Sequence, residues 1–165
     1  RDIGVTGVQT CALPISADRA PDAVRVTLLR TGLVLGPDGG MLPKLMRLTR
    51  FGLGGRLGDG RQWWPWISVA DHVAAMAFLL DHAVAGPVNL TAPEPVTNAE
   101  FTSALGRVLH RPTPWAIPGF ALRAVLGGFA GEVLGGQRAL PAVLQREGFR
   151  FLHPRLEQAL RANAG

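Results

Sequence analysis

The chemistry that this chain could support centres on the end of one apolar run, residues 24–36, VRVTLLRTGLVLG. Its β-branched and apolar residues predict a strand over 24–35 that is covered on both faces. Thr31 offers a hydroxyl and Gly32 a backbone without Cβ at the carboxyl end of that strand, where ligands of open α/β sheets bind. Such residues can approach a flat ring closely. An ordinary strand end, in which Gly32 only relieves crowding, explains them equally well, and both interpretations stay open.

Two glycine-rich segments favour turns over phosphate binding. Residues 39–40 precede a predicted helix over 41–51 and could present backbone N–H groups to an anion, although a plain turn explains them better. Residues 52–62, GLGGRLGDGRQ, carry Arg56 and Arg61 as charge partners. No helix opens directly behind them, as a phosphate loop requires. We therefore expect a mobile loop on the substrate side.

Three tryptophans follow that segment and could line a pocket or stack on a ligand. In an extended chain Trp64 and Trp66 share one face and Trp63 takes the other, and we expect at least one in the core. Asp71 and His72 could suggest acid–base chemistry. The spacing of Ser68 and Asp71 is that of a capping box, however, and the helix dipole also favours Asp71 there. Capping therefore explains Asp71 fully.

Composition excludes several classes of site. There is no tyrosine, no Gly-x-Ser-x-Gly motif, and Cys11 is the only cysteine, so a reducing compartment fits and we expect a cytoplasmic protein. The histidines show no metal-ligand spacing, so we expect no metal; they are His72, His82, His110 and His153. The formal charge of +5 comes from scattered arginines, which disfavours nucleic-acid binding. No apolar run is long enough to cross a membrane.

The remaining pattern predicts an α/β fold, the C-terminal half of a Rossmann-like doubly wound sheet with a mostly helical C-terminal cap. A helix over 69–83 carries an apolar stripe that we expect on the sheet, formed by Val73, Met76, Ala77 and Leu80. Thr97 and Glu100 form a capping box before a helix that ends near residue 110. The other predicted elements are a strand over 87–90, an extended segment over 112–118, and helices over 119–126, 138–147 and 154–162.

Residues 1–16, RDIGVTGVQTCALPIS, differ from the rest because they have neither a helical nor a strand period. They also lack the basic and apolar regions of a signal peptide. They resemble a translated sequencing-adapter scar, and a genuine short hairpin or tail is the alternative. On the scar interpretation, the native protein continued upstream of residue 17.

Four segments in the same order resemble the atypical extended, epimerase-like branch of the short-chain dehydrogenase/reductases. They are VRVTLLRTGLVLGPDGGMLPK, GLGGRLGDGRQWWPWISVADHV, GPVNLTAPEPVTNAEFTSALGRVLHRP and GQRALPAVLQREGFRFLHPRLEQAL. The resemblance implies a Rossmann-type half that binds NAD or NADP through a glycine-rich loop and holds a Tyr-x-x-x-Lys pair. Neither motif occurs in this chain. The last of the four segments resembles the C-terminal extension of this branch.

The resemblance assigns the nicotinamide end of the cofactor to four consecutive residues: Thr31, Gly32, Leu33 and Val34. It places Met41, Arg61 and Trp64 on the substrate side and gives the chain no catalytic residue. Leu33 stands where the extended class often has asparagine, and Trp64 where it often has a phosphate-gripping arginine. Two polar contacts to a nucleotide sugar are therefore missing, which weakens the case for sugar-nucleotide chemistry in this branch.

We thus expect three parts: a non-native leader over 1–16, the C-terminal part of an NAD(P)-binding domain over 17–110, and a helical extension over 111–165. The chain would supply the nicotinamide-side and substrate-side wall of an oxidoreductase or epimerase-like protein acting on an unidentified small molecule. Alone it would be inactive. A stand-alone binding or scaffolding module is the alternative, with a basic nucleic-acid binder as a distant third.

Overall fold

The computed structural model describes residues 21, 23–117 and 136–164. Its strands are β1 Thr27–Thr31, β2 Leu33–Leu35, β3 Gly55–Leu57, β4 Trp63–Trp64, β5 Trp66–Ser68, β6 Gly86–Leu90, β7 Val96–Thr97 and β8 Trp115–Ile117. Its helices are α1 Leu42–Arg50, α2 Val69–Asp81, α3 Asn98–Val108, α4 Ala142–Arg146 and α5 Leu156–Ala162. The predicted leader over 1–16 and the predicted helix over 119–126 lie outside the described residues.

Parallel strand pairs dominate, as the α/β prediction requires. β1 pairs with β6, β2 with β5, and β3 with β8, all in parallel, while β4 and β7 are antiparallel. Parallel partners need a long connection, and the one between β1 and β6 contains α1 and α2. The fold class predicted from the sequence is confirmed.

The single strand predicted over 24–35 is two strands, because the chain changes partners at Gly32. The Gly32 N–H donates to the Leu90 carbonyl oxygen (3.2 Å), and the Leu33 N–H donates to that of Pro65 (2.7 Å). β5 thus replaces β6 as the neighbouring strand. The loop predicted over 52–62 is also partly wrong, since it contains β3. A Cβ on Gly55 would lie 2.6 Å from the Trp115 carbonyl oxygen, so glycine permits this close pairing with β8.

Two core clusters lie on opposite faces of the β2–β5 pair. Trp66 belongs to the first cluster and its neighbour Ile67 to the second, because successive strand residues point to opposite faces. The first cluster also contains Trp64 and Phe101, whose rings meet edge to face at 5.1 Å. The prediction that Trp64 and Trp66 share a face is therefore confirmed, and both are core residues.

The apolar stripe predicted for α2 is on the wrong side of the helix. Ala75 and Leu79 are buried, and Met76 packs on the second cluster from a partly buried position. Val73 and Leu80, in contrast, are 56% and 77% exposed, and Ala77 is exposed as well. The reason is that α2 is apolar around most of its circumference, so its periodicity alone could not select the buried face.

The C-terminal segment, defined here as residues 136–164, contributes to both clusters. Leu144 of α4 is fully buried in the second cluster, and Leu156 and Leu160 of α5 are buried in the first. The helix predicted over 138–147 is confined to Ala142–Arg146. Pro141 explains this shortening, because a residue that precedes proline is disfavoured in helical conformation. The described part of the extension is therefore less helical than predicted.

Candidate functional site

Thr31 is the last residue of β1 and carries an exposed hydroxyl at the carboxyl edge of the β1–β6 pair. Its Oγ1 lies 3.2 Å from Nε2 of His72, in the first turn of α2. Partial burial lowers the pKa of His72 below its usual 6.5, because desolvation disfavours the charged imidazolium. A neutral imidazole can either donate to a hydroxyl or accept from it, according to its tautomer. The sequence analysis did not pair His72 with Thr31, since no local pattern joins residues 41 positions apart.

Gly32 is packed against the protein's own backbone on the side where a Cβ would point. A Cβ there would lie 2.6 Å from the Pro65 carbonyl oxygen and 3.1 Å from Cγ2 of Thr91. Relief of crowding is therefore enough to require glycine at this position. Close approach of a flat ring to the rest of Gly32 stays a prediction.

Leu33 and Val34 place their side chains in the interior, on opposite faces. Leu33 packs on the first core cluster and Val34 on the second, both from partly buried positions. Within the predicted cofactor segment, Thr31 is thus the residue whose polar side chain faces solvent.

One orphaned polar atom lies at the same edge. Thr91 follows the last residue of β6 and is 1% exposed, yet its Oγ1 has no hydrogen-bond partner within the described residues. An unsatisfied buried hydroxyl is costly, so such a group is a marker for a missing partner. Cγ2 of Thr91 neighbours Gly32, so this hydroxyl lies near the end of β1, where Thr31 is the last residue.

The three substrate-side residues occupy different environments. Trp64 is 6% exposed and packs against Phe101, and Met41 packs on the same core cluster immediately before α1. Arg61 is exposed in the turn after β3, where its N–H donates to Oδ1 of Asp59 (3.0 Å). The structure therefore joins Met41 and Trp64 through the first core cluster and leaves Arg61 on the surface.

Asp71 has a larger structural role than capping. Its Oδ1 accepts the Leu152 N–H (2.6 Å), and its Oδ2 accepts the His153 N–H (3.0 Å) and the Ser68 hydroxyl (2.7 Å). The carboxylate is 1% exposed, and burial of such a charge is tolerated only with hydrogen-bond partners of this kind. The expectation that capping explains Asp71 fully is incomplete, because two of its donors come from about 80 residues away.

A hollow lies elsewhere in the described part of the chain. It has a volume of about 500 Å³ and lies where α3 faces α5, and its lining includes Glu100, Arg107 and Glu157. Arg107 Nη2 lies 2.7 Å from Glu157 Oε1, so these opposite charges neutralise each other. The described residues contain no group of three potential metal ligands. Among those same residues, no helix is both long and apolar enough to cross a membrane.

Comparisons with known proteins agree with this architecture. Residues 15–91 match the model of the NAD dependent epimerase/dehydratase family, and residues 117–162 match a domain of unknown function, DUF1731. Epimerase family protein ML0860 from Mycobacterium leprae is 53% identical over 138 residues, which are 82% of this chain and 45% of that protein. The chloroplastic SDR39U1 homolog of Arabidopsis thaliana is 43% identical over 89% of this chain and 43% of its own length.

The crystal structure of human epimerase family protein SDR39U1 with NADPH superimposes with a TM-score of 0.85 at 35% identity. The match covers 90% of this chain and 52% of the human chain. The chain therefore spans about half the length of the relatives that it matches. These matches, together with the parallel strands, show that the chain is similar to part of the atypical extended, epimerase-like short-chain dehydrogenase/reductases.

Proposed function

We propose that this chain forms the nicotinamide-side wall of an NAD(P)-dependent oxidoreductase or epimerase-like protein. The observation that carries the proposal is the exposed hydroxyl of Thr31 at the carboxyl edge of parallel strands, 3.2 Å from Nε2 of His72. Open α/β sheets bind their ligands at this edge. The rest of the cofactor site would come from an upstream portion, as the greater length of the relatives suggests.

The residues present fit a nicotinamide. Its carboxamide both donates and accepts hydrogen bonds, and the exposed hydroxyl of Thr31 can do the same. The neutral His72 beside Thr31 would orient the exposed hydroxyl without placing a positive charge next to an oxidised ring. When bound, the nicotinamide would supply a hydride donor or acceptor. The chain's own residues would bind and orient that ring.

Two surface features support the idea that another polypeptide portion packs against this chain. Within the described residues β1 pairs with β6 alone, so its other edge is open. The outer face of α2 displays Val69, Val73 and Leu80, which are 40%, 56% and 77% exposed. An open parallel edge beside an apolar helix face is unusual in a finished α/β sheet, which is covered on both faces.

This chain alone is not expected to catalyse hydride transfer. The family's acid–base pair is Tyr-x-x-x-Lys, and the chain contains no tyrosine. The buried Trp64 cannot grip a phosphate as the usual arginine does, so the proposed substrate is a small molecule other than a sugar nucleotide. Turnover of NAD(P) by the isolated chain would contradict this part of the proposal.

The test compares the cofactor affinity of two threonine variants on β1, in a longer protein that restores the upstream half. Thr31→Val should weaken NADPH or NADH binding between about twofold and about tenfold, since one hydrogen bond contributes about 0.5–1.5 kcal/mol. Thr27→Val is the matched control at the opposite end of β1. It removes the Thr27 hydrogen bond to the Val84 carbonyl oxygen (2.7 Å) and should leave cofactor affinity unchanged.

Isothermal titration calorimetry would distinguish the outcomes. Equal affinity of the two variants and the wild type would remove Thr31 from the site. No binding of either dinucleotide by the wild-type longer protein would reject the proposed function and favour a non-catalytic binding or scaffolding module.

A further inference from the structure

The C-terminal segment is attached to the rest of the chain at separate points along its length. Asn89 of β6 donates from Nδ2 to the Leu140 carbonyl oxygen (3.0 Å), and Leu144 is buried beneath the same strand. Phe149 meets the ring of Phe78 on α2 at 5.4 Å, edge to face. The segment therefore crosses β6 and α2 before α5 enters the first core cluster.

Its most polar attachment is the carboxylate of Asp71. Both oxygens are satisfied, by the Leu152 N–H on one side and by the His153 N–H and the Ser68 hydroxyl on the other. Ser68 has a single hydroxyl hydrogen, which goes to Asp71, so its lone pairs accept the Asp71 N–H (3.1 Å) and His153 Nδ1–H (3.2 Å). This count of donors and acceptors at Ser68 places a hydrogen on Nδ1 of His153. The result is a closed, buried network that joins the two parts of the chain.

The next residue along α2 reaches the candidate site. Asp71 and His72 are consecutive in the first turn, and while Asp71 holds residues 152–153, His72 contacts Thr31 at the end of β1. A shift of that turn would move both side chains together, because a helical turn is fixed by its backbone hydrogen bonds. The position of His72 relative to Thr31 thus depends on what holds Asp71.

We propose that Asp71 is a positioning residue through which the C-terminal segment fixes the first turn of α2, and with it the His72–Thr31 contact at the strand end. This gives the segment that matches a domain of unknown function a specific task beyond filling the core. The link from this contact to cofactor binding rests on the proposed function. The mechanical link from residues 152–153 to His72 does not.

The decisive variant is Asp71→Asn, which keeps the shape of the side chain. Its amide nitrogen is a donor, so it faces either the His153 N–H or the Leu152 N–H with another donor, and one attachment is lost. Leu144→Ala is the matched control, because it loosens the same C-terminal segment through the core without touching the first turn of α2. Both variants should lower the thermal midpoint of the chain.

NMR of the uniformly labelled 165-residue chain, followed at the His72 ring and the Thr31 amide, separates positioning from simple stability. In Asp71→Asn the His72 ring resonances and the Thr31 amide should shift, and the pKa of His72 should rise toward 6.5 as water reaches the ring. In Leu144→Ala these signals should stay at their wild-type positions. The proposal is overturned if the His72 and Thr31 signals of Asp71→Asn match the wild type, or if both variants shift them equally.

Ser68→Ala is the milder second variant if Asp71→Asn does not fold. It removes one donor to the carboxylate, the acceptor of His153 Nδ1–H and the cap of the Asp71 N–H, but it keeps both backbone donors from residues 152–153, so it should shift the same His72 signals by a smaller amount. An unchanged His72 spectrum in this variant also overturns the proposal.

Cofactor affinity of the longer protein provides the functional readout. Asp71→Asn should weaken NADPH binding by no more than the roughly tenfold loss that corresponds to one hydrogen bond, and by more than Leu144→Ala does, at a temperature where both are folded. If the wild-type longer protein does not bind NADPH, the proposed function fails while the NMR comparison still decides the positioning role.

Discussion

Neighbouring leucines on α2 give a direct test of which helix face is buried. Leu79 is 5% exposed in the second core cluster, whereas Leu80 is 77% exposed. Leu79→Ala should lower the free energy of unfolding of this chain by about 2–5 kcal/mol, the usual cost of removing a buried leucine. Complete burial of a leucine side chain contributes about 2 kcal/mol, so the quarter of Leu80 that is covered predicts a loss of only about 0.5 kcal/mol for Leu80→Ala.

The same pair of variants tests whether an upstream portion covers α2. In the longer protein, Leu80→Ala should cost about 2 kcal/mol, because the proposed packing buries its side chain. Leu79→Ala should cost the same in both proteins. The assay is urea unfolding followed by circular dichroism, with midpoints compared at constant slope.

Two results would refute the reasoning. Equal destabilisation by the two variants in this chain would mean that α2 does not bury its Leu79 face in preference to its Leu80 face. A Leu80→Ala cost that does not increase in the longer protein would mean that the outer face of α2 stays open, as a stand-alone module predicts.

Two further predictions concern the strand end. Gly32→Ala should destabilise the chain by about 1–3 kcal/mol in urea unfolding, because its Cβ would lie 2.6 Å from the Pro65 carbonyl oxygen; Gly39→Ala, whose Cβ would meet nothing within 4 Å, is the control, and equal effects would contradict the packing at Gly32. His72 should titrate below 6.5 by NMR, since desolvation lowers its pKa in the folded state. Below pH 6.5 the unfolded chain binds a proton at His72 more readily than the folded chain does. The stability that His72 contributes above pH 6.5 is therefore lost as the pH falls through the folded-state pKa of His72. His72→Gln should remove this part of the acid-side loss, and an unchanged pH profile would contradict it.

Local sequence patterns predicted the features that depend only on residues close together in the sequence. The capping box of Thr97 and Glu100 is confirmed with both reciprocal hydrogen bonds, and α3 begins directly behind it. The helix predicted over 41–51 is observed as Leu42–Arg50, and strand alternation correctly placed Trp64 and Trp66 on one face, where both prove to be core residues. These elements follow from side-chain periodicity and from turn and cap chemistry, which act over four residues or fewer.

The candidate site was predictable only in part, because its contacts join residues that are far apart in the sequence. Thr31 and Gly32 were recognisable from the strand and the turn that follows it, but their contacts with His72 and Pro65 arise from strand pairing across more than thirty residues. The same holds for Asp71, whose capping role is local and whose carboxylate partners are in the C-terminal segment.

By itself, the sequence determined the α/β class, the strand end that carries the candidate site, and the absence of a tyrosine for acid–base chemistry. Only the tertiary structure decided which face of α2 is buried and what Asp71 holds. A helix that is apolar on most sides has several stripes of similar hydrophobicity, so the surface it packs on makes the choice. A buried carboxylate likewise needs donors wherever the fold can bring them, and here the fold brings two backbone N–H groups from the far end of the chain.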